Sequence, residues 1–161
     1  IELKMSENRV EIDPNDYIDQ FIANTALLVS MRPNGEKNVM ALDWKEMEEI
    51  DGAPVIRAQV AYSRYTYELL TEGINEFTIN IPSNKISNAV SVAGSYSWKN
   101  TDKFDKAGLE TIPGEETKVP TLKDCILNYE CRIVDTNKSN LSSHHYFYGK
   151  ILKAFATPDL M

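Results

Sequence analysis

The heptapeptide "LNYECRI", residues 127 to 133, alternates without a break. Leu127, Tyr129, Cys131 and Ile133 fall on one side, and Asn128, Glu130 and Arg132 on the other. Successive side chains of an extended chain point to opposite faces, so this period demands a strand with one apolar and one polar face. "PVIRAQVAY" repeats the pattern, setting Ile56, Ala58, Val60 and Tyr62 against Val55, Arg57, Gln59 and Ala61. "EFTINIP" sets Phe77, Ile79 and Ile81 against Thr78 and Asn80. "TALLVSM" and "YFYGKILKAFA" add two more strands, the first apolar enough to be central. Between "TALLVSM" and "NVMALDW" lies Asn34–Gly35, a dipeptide suited to the tight turn of a hairpin. Half-buried strands of this kind belong to antiparallel sheets and barrels.

Helical signals are fewer and shorter. Leu69, Leu70 and Ile74 have helical spacing after Arg64, with Gly73 or Asn75 as the stop. "SNKISNAVSVAG" predicts a helix capped by Ser83 and ended by Gly94, with Ile86, Ala89, Val90 and Ala93 on one face. "TDKFDKAG" predicts one or two turns between Thr101 and Gly108, and "PNDYIDQF" another short helix. Strands dominate and strict βαβ alternation is missing. The expected fold is therefore α+β: a mostly antiparallel barrel with short inserted helices, forming one domain over residues 1–161.

Charge and apolar content narrow the partners. The 24 acids exceed the 17 bases for a net charge of −7, with no basic block, which argues against nucleic acid. No apolar run approaches the roughly 20 residues of a membrane-spanning helix. "IELKMSENRV" has no apolar signal core, so a cytoplasmic chain is expected. Cys125 and Cys131, six apart in one strand, are expected on the same face but roughly 20 Å from each other, too far for a disulfide or a common metal, and read as free thiols in a reducing compartment. His144 and His145 are strand neighbours on opposite faces and suit structural or solvent roles better than a shared metal.

One junction carries chemistry. In "SRYTYE" the strand ends and a helix begins, placing Ser63, Arg64 and Thr66 where helix N–H groups are unpaired and the dipole favours an anion. A guanidinium there suits phosphate oxygens. Two plainer readings stand beside this one: a cap from Ser63 or Thr66, and a surface ion pair between Arg64 and Glu68. Asn38 opens "NVMALDW" with an amide able to bond a polar ring edge, and "AGSYSWKNTDKF" combines Gly94, Ser95, Ser97 and Lys103.

Taken in order, these segments resemble the flavin reductase-like family, whose domains bind FMN on a split barrel. The matching residues are Asn38, Met40 and Trp44 in "NVMALDW"; Arg64 and Thr66; "EFTINIP"; and Gly94, Ser97, Asp102, Lys103 and Phe104 in "AGSYSWKNTDKF". "LNYECRIVDT" and "YFYGKI" resemble the family's later strands, so the likeness spans about residues 24 to 156. The resemblance implies a homodimer binding FMN, with NAD(P)H or a protein as electron donor and no catalytic residue beyond the flavin. It implies phosphate contacts at Arg64, Thr66 and Lys103, and ring contacts along Met40, Ala41, Leu42 and Asp43. Asn38, Ser63 and Ser97 complete the implied cofactor set. Departures are Ala93 where many members have Cys, Trp98 for the second Gly and Lys99 for Arg. Ala93 excludes a thiol step at that position, and an indole at residue 98 would reshape the pocket. The alternative is a split-barrel binding protein that has lost flavin redox activity, its slot filled by Trp98.

Overall fold

The computed structural model describes residues 8–62, 64–95, 103–139 and 143–161. Ten strands and four α-helices occur among them in the order β1 (Val10–Glu11), α1 (Ile18–Ala23), β2 (Ala26–Met31), β3 (Lys37–Leu42), β4 (Lys45–Ile50), β5 (Ala53–Ala61), α2 (Tyr65–Glu72), β6 (Glu76–Pro82), α3 (Ala89–Ser95), α4 (Lys103–Ala107), β7 (Thr111–Ile112), β8 (Thr121–Leu122), β9 (Cys125–Lys138) and β10 (His144–Ala156). The main sheet runs β3-β2-β6-β9-β10-β5-β4, and β1 joins β10. Every pairing is antiparallel. The antiparallel barrel expected from the alternation is present, and its division is that of the split barrel the resemblance implies.

The long strand β10 explains how the sheet divides. Its first half, His144 to Lys150, pairs with β5, whereas Phe155 and Ala156 pair with β1. Register shifts against β9 after Tyr148 and after Ile151 bend the strand between these two partners. Gly149 sits at the first shift, where a Cβ would come 2.4 Å from the Phe77 ring and 2.8 Å from the Cys131 Cβ. The Asn34–Gly35 hairpin forms as expected between β2 and β3, with Gly35 at φ 95°.

Two apolar clusters lie on opposite sides of the sheet. The larger fills the barrel with Phe21, Leu28, Ile56, Phe77, Ile79, Tyr129, Cys131 and Phe147. The second packs Leu27, Val29 and Val39 under α3 and α4, against Ile86, Ala93 and Phe104. β6 and the first half of β9, Cys125 to Cys131, are thus covered on both faces rather than half-buried. Their polar face is buried because each group finds a partner. Asn128 donates to Asn80 Oδ1 at 2.8 Å, and the Thr78 hydroxyl donates to the Pro120 carbonyl at 2.7 Å. Glu130, fully buried, accepts from the Glu116 N–H at 2.7 Å and the Glu115 N–H at 3.0 Å.

Three local expectations are corrected. Cys125 and Cys131 are free and buried, but Cys125 lies in the outer cluster and Cys131 in the barrel. The register shift between Ile81 and Pro82 inserts an extra residue between them and turns them to different faces. The segment from Ser83 divides into a 3₁₀ turn, Asn84–Ile86, and α3; Ser83 does cap the turn, accepting from the Lys85 N–H at 3.2 Å. Gly94 lies inside α3, which runs on to Ser95. Among the described residues, no helix is long and apolar enough to cross a membrane.

Candidate functional site at the start of the second helix

β5 delivers the chain to the mouth of α2. Leu69 and Leu70 anchor the helix to the core, and Gly73 ends it, where a Cβ would meet the Leu69 carbonyl at 2.5 Å. Arg64 holds the N-cap position with extended backbone and no side-chain cap bond, and Thr66 lies two residues on, in the first turn. The expected cap by Thr66 is therefore not formed. Its hydroxyl instead accepts from the Asn38 amide at 2.9 Å, with both residues buried. The amide of Asn38 thus braces β3 against α2.

The surrounding charges decide what Arg64 can do. Arg32, on the turn after β2, donates to the Glu68 carboxylate and lies 3.7 Å from Glu36 and 3.8 Å from Glu72. The Tyr65 hydroxyl also donates to Glu36. Hydrogen bonding to Tyr65, then the Glu68 charge, holds the Arg32 guanidinium firmly protonated, whereas burial pushes the Tyr65 phenol up. Glu68 is consequently spent on Arg32, and the Arg64–Glu68 pair does not form. Among the described residues the half-buried Arg64 guanidinium has no hydrogen-bond or ion-pair partner. The N–H groups of Tyr65 and Thr66 likewise find no acceptor there. A cation and two free donors thus converge where the helix dipole is positive.

β3 forms the neighbouring wall. It ends the sheet order, so among the described residues one of its edges pairs with no strand. Met40 and Leu42 turn their side chains into the core, leaving only backbone for a ligand, while Ala41 lies toward Gly94 of α3. Asp43 is exposed and accepts a hydrogen bond from the Thr25 hydroxyl. From Asp43 a cavity of about 410 Å³ opens, lined by Trp44, Lys45, Glu46, Arg57 and Gln59. Burial lowers the Lys45 pKa, partly offset by Asp43, and its ammonium donates to the Asn24 carbonyl at 2.7 Å.

The structure therefore joins Asn38 to Thr66 and sets Asp43 at the cavity, whose lining omits Arg64. Lys103 opens α4, which packs on β3, but its side chain, Ser63 and Ser97 lie outside the described residues, as do Trp98 and Thr101. Ala93 is fully buried in the outer cluster. Sequence reasoning passed over the aromatic lining. Trp44 is 55% exposed with its ring 4.8 Å from that of His144. Tyr62, Tyr67 and Phe147 surround His145 on the opposite face, and the buried Tyr62 hydroxyl and His145 Nδ1 have no partner among the described residues. Trp44 lies in the segment "NVMALDW", whereas the histidines gain their aromatic neighbours only through tertiary packing.

Residues 18–160 match the model of the flavin reductase like domain. The chain belongs to the flavin reductase-like family. It is 33% identical over 117 residues to an uncharacterized protein of Pyrococcus abyssi, covering 73% of this chain and 64% of that one. The chain spans just under two thirds of the first curated relatives it matches, 64% and 63% of their lengths. Among solved structures, flavoredoxin of Desulfovibrio vulgaris (Miyazaki F) is 28% identical with a TM-score of 0.73, over 83% of this chain and 69% of that one. An FMN-binding domain of a flavin reductases-like enzyme from Shewanella baltica OS155 has a TM-score of 0.78 at 19% identity, over 96% and 80% of the two chains, and shares the fold.

Proposed function

We propose that this flavin reductase-like protein binds FMN and acts as an oxidoreductase, taking electrons from NAD(P)H or from a protein donor. The observation that carries this reading is the unpaired Arg64 guanidinium beside the free N–H groups of Tyr65 and Thr66. A cation left without a partner at a helix N-terminus offers a local anion site even on an acidic molecule, and the FMN phosphate meets that demand. The names of the flavoredoxin and FMN-binding neighbours support the choice of flavin.

In this reading Arg64 and the two N–H groups hold the phosphate, and Lys103, Ser63 and Ser97 are proposed as further contacts. The Thr66 hydroxyl, kept in place by Asn38, still has its proton to donate. The unpaired edge of β3 from Met40 to Leu42 offers backbone contacts to the ring, with Asp43 at its end. Bound FMN supplies the hydride- and electron-accepting chemistry, so the protein's tasks are binding, orientation and exclusion of water. Trp44 and the cavity beside it give a planar donor or a partner protein a place to approach. The protein is proposed to work as a cytoplasmic homodimer.

Titration of the purified protein with FMN, followed by absorption and by quenching of flavin fluorescence, tests the reading. Saturable, stoichiometric binding is expected, and bleaching by NADPH or NADH would distinguish a reductase from an electron carrier. Protein that stays colourless and leaves flavin fluorescence unquenched would favour a barrel without redox function.

A further inference from the structure

At the far end of α2, roughly 12 Å along the helix from Arg64, lies a second cavity of about 330 Å³. Met31, Pro33 and Ile74 give it an apolar wall, and Lys118 and Arg132 give it two cations. Asn75 and Glu76 complete the lining. Arg132 lies directly across from Glu76 on β6 and from Lys150 on β10, so all three share one sheet face.

Glu76 is the obvious counterion for Arg132, yet it is engaged elsewhere. Its carboxylate accepts from the Lys118 N–H at 2.8 Å and the Val119 N–H at 3.4 Å, pinning the loop before β8. Among the described residues, neither Lys118, Arg132 nor Lys150 has an ion-pair partner, whereas Arg32, Arg57, Lys85, Lys123 and Lys153 each have one. Three cations without an ion-pair partner among the described residues thus stand near Glu76, whose Oε1 accepts from backbone N–H groups instead. Two of them face a cavity whose other side is apolar.

We propose that this cavity binds a small amphipathic carboxylate, its anionic head between Lys118 and Arg132 and its apolar body against Met31, Pro33 and Ile74. Charge alone would favour any anion; the apolar wall selects one with a hydrocarbon body. The site is separate from the flavin reading and stands whether or not FMN binds at Arg64.

The test is an amide chemical-shift titration with hexanoate and, in parallel, inorganic phosphate. Hexanoate is expected to give saturable shifts at Ile74, Lys118, Val119 and Arg132 with a dissociation constant on the order of 1 mM, and phosphate to bind at least about fivefold more weakly. Lys118→Gln and Arg132→Gln, both at exposed positions, should each weaken hexanoate by about three- to fivefold while leaving the remaining spectrum unchanged. Equal affinity for phosphate, an absence of saturation at these amides, or unchanged hexanoate affinity in both variants would overturn the proposal.

Discussion

The Asn38 amide donates to the Thr66 hydroxyl at 2.9 Å, and this buried bond ties the edge strand β3 to the first turn of α2. It fixes the distance between the two elements proposed to hold opposite ends of the flavin. Removing either side chain leaves the other buried without its partner. Asn38→Ala and Thr66→Val are each expected to lower stability by about 1–3 kcal/mol, with the double variant losing less than the sum. Urea denaturation of the four proteins in the cycle measures the coupling; strict additivity would show that the bond contributes nothing.

Arg64→Ala should separate binding from folding. Because the guanidinium has no partner among the described residues, its removal leaves the unfolding midpoint nearly unchanged. FMN affinity is expected to fall by about 1.5–3 kcal/mol, roughly 10- to 150-fold. Glu68→Gln makes the informative comparison, since it releases Arg32 rather than Arg64. Fluorescence titration of the two variants checks this, and unchanged affinity in Arg64→Ala would move the phosphate elsewhere.

The strands were legible because alternation is a local signal. "EFTINIP" and "LNYECRI" became β6 and part of β9 within the expected bounds. That both faces would be buried was not legible, since Asn80, Asn128 and Glu130 look like solvent residues until their distant partners arrive. β4 also escaped notice: "KEMEEI" is a charged edge strand without clear alternation, and its pairing with β5 defines it. At the candidate site, Arg64 was readable from its place before a helix. The diversion of Glu68 to Arg32 was not, because those residues lie 36 positions apart.

His145 gives the molecule a signed response to pH. Packed against Tyr62, Tyr67 and Phe147 and paired across the sheet with Lys138, it has its pKa lowered, chiefly by burial and then by the Lys138 charge, below the ordinary 6.5. The unfolded chain therefore binds this proton more readily than the folded one. The resulting stability is complete above the ordinary imidazole range and is lost as pH falls through it toward the folded value. Urea midpoints from pH 8 down to about 5 should decline, and His145→Phe should flatten that decline. A variant with the wild-type slope would assign the acid sensitivity to other groups.

Gly149 occupies a position where the barrel leaves no room for a side chain. It lies at the bend of β10, with the ring of the fully buried Phe77 and the Cβ of Cys131 occupying the space a side chain would need. Both neighbours belong to the barrel core, so neither can swing into solvent. Gly149→Ala must push apart β6, β9 and β10, the strands that carry the register shifts. A loss of about 1–3 kcal/mol is expected from this overpacking, although alanine restricts the unfolded chain and would otherwise stabilise it. Pairing the change with Phe77→Leu, which shortens the opposing side chain, should recover part of the loss. Thermal unfolding of the single and double variants reads the effect, and a Gly149→Ala protein as stable as wild type would show that β10 can bend without this close approach.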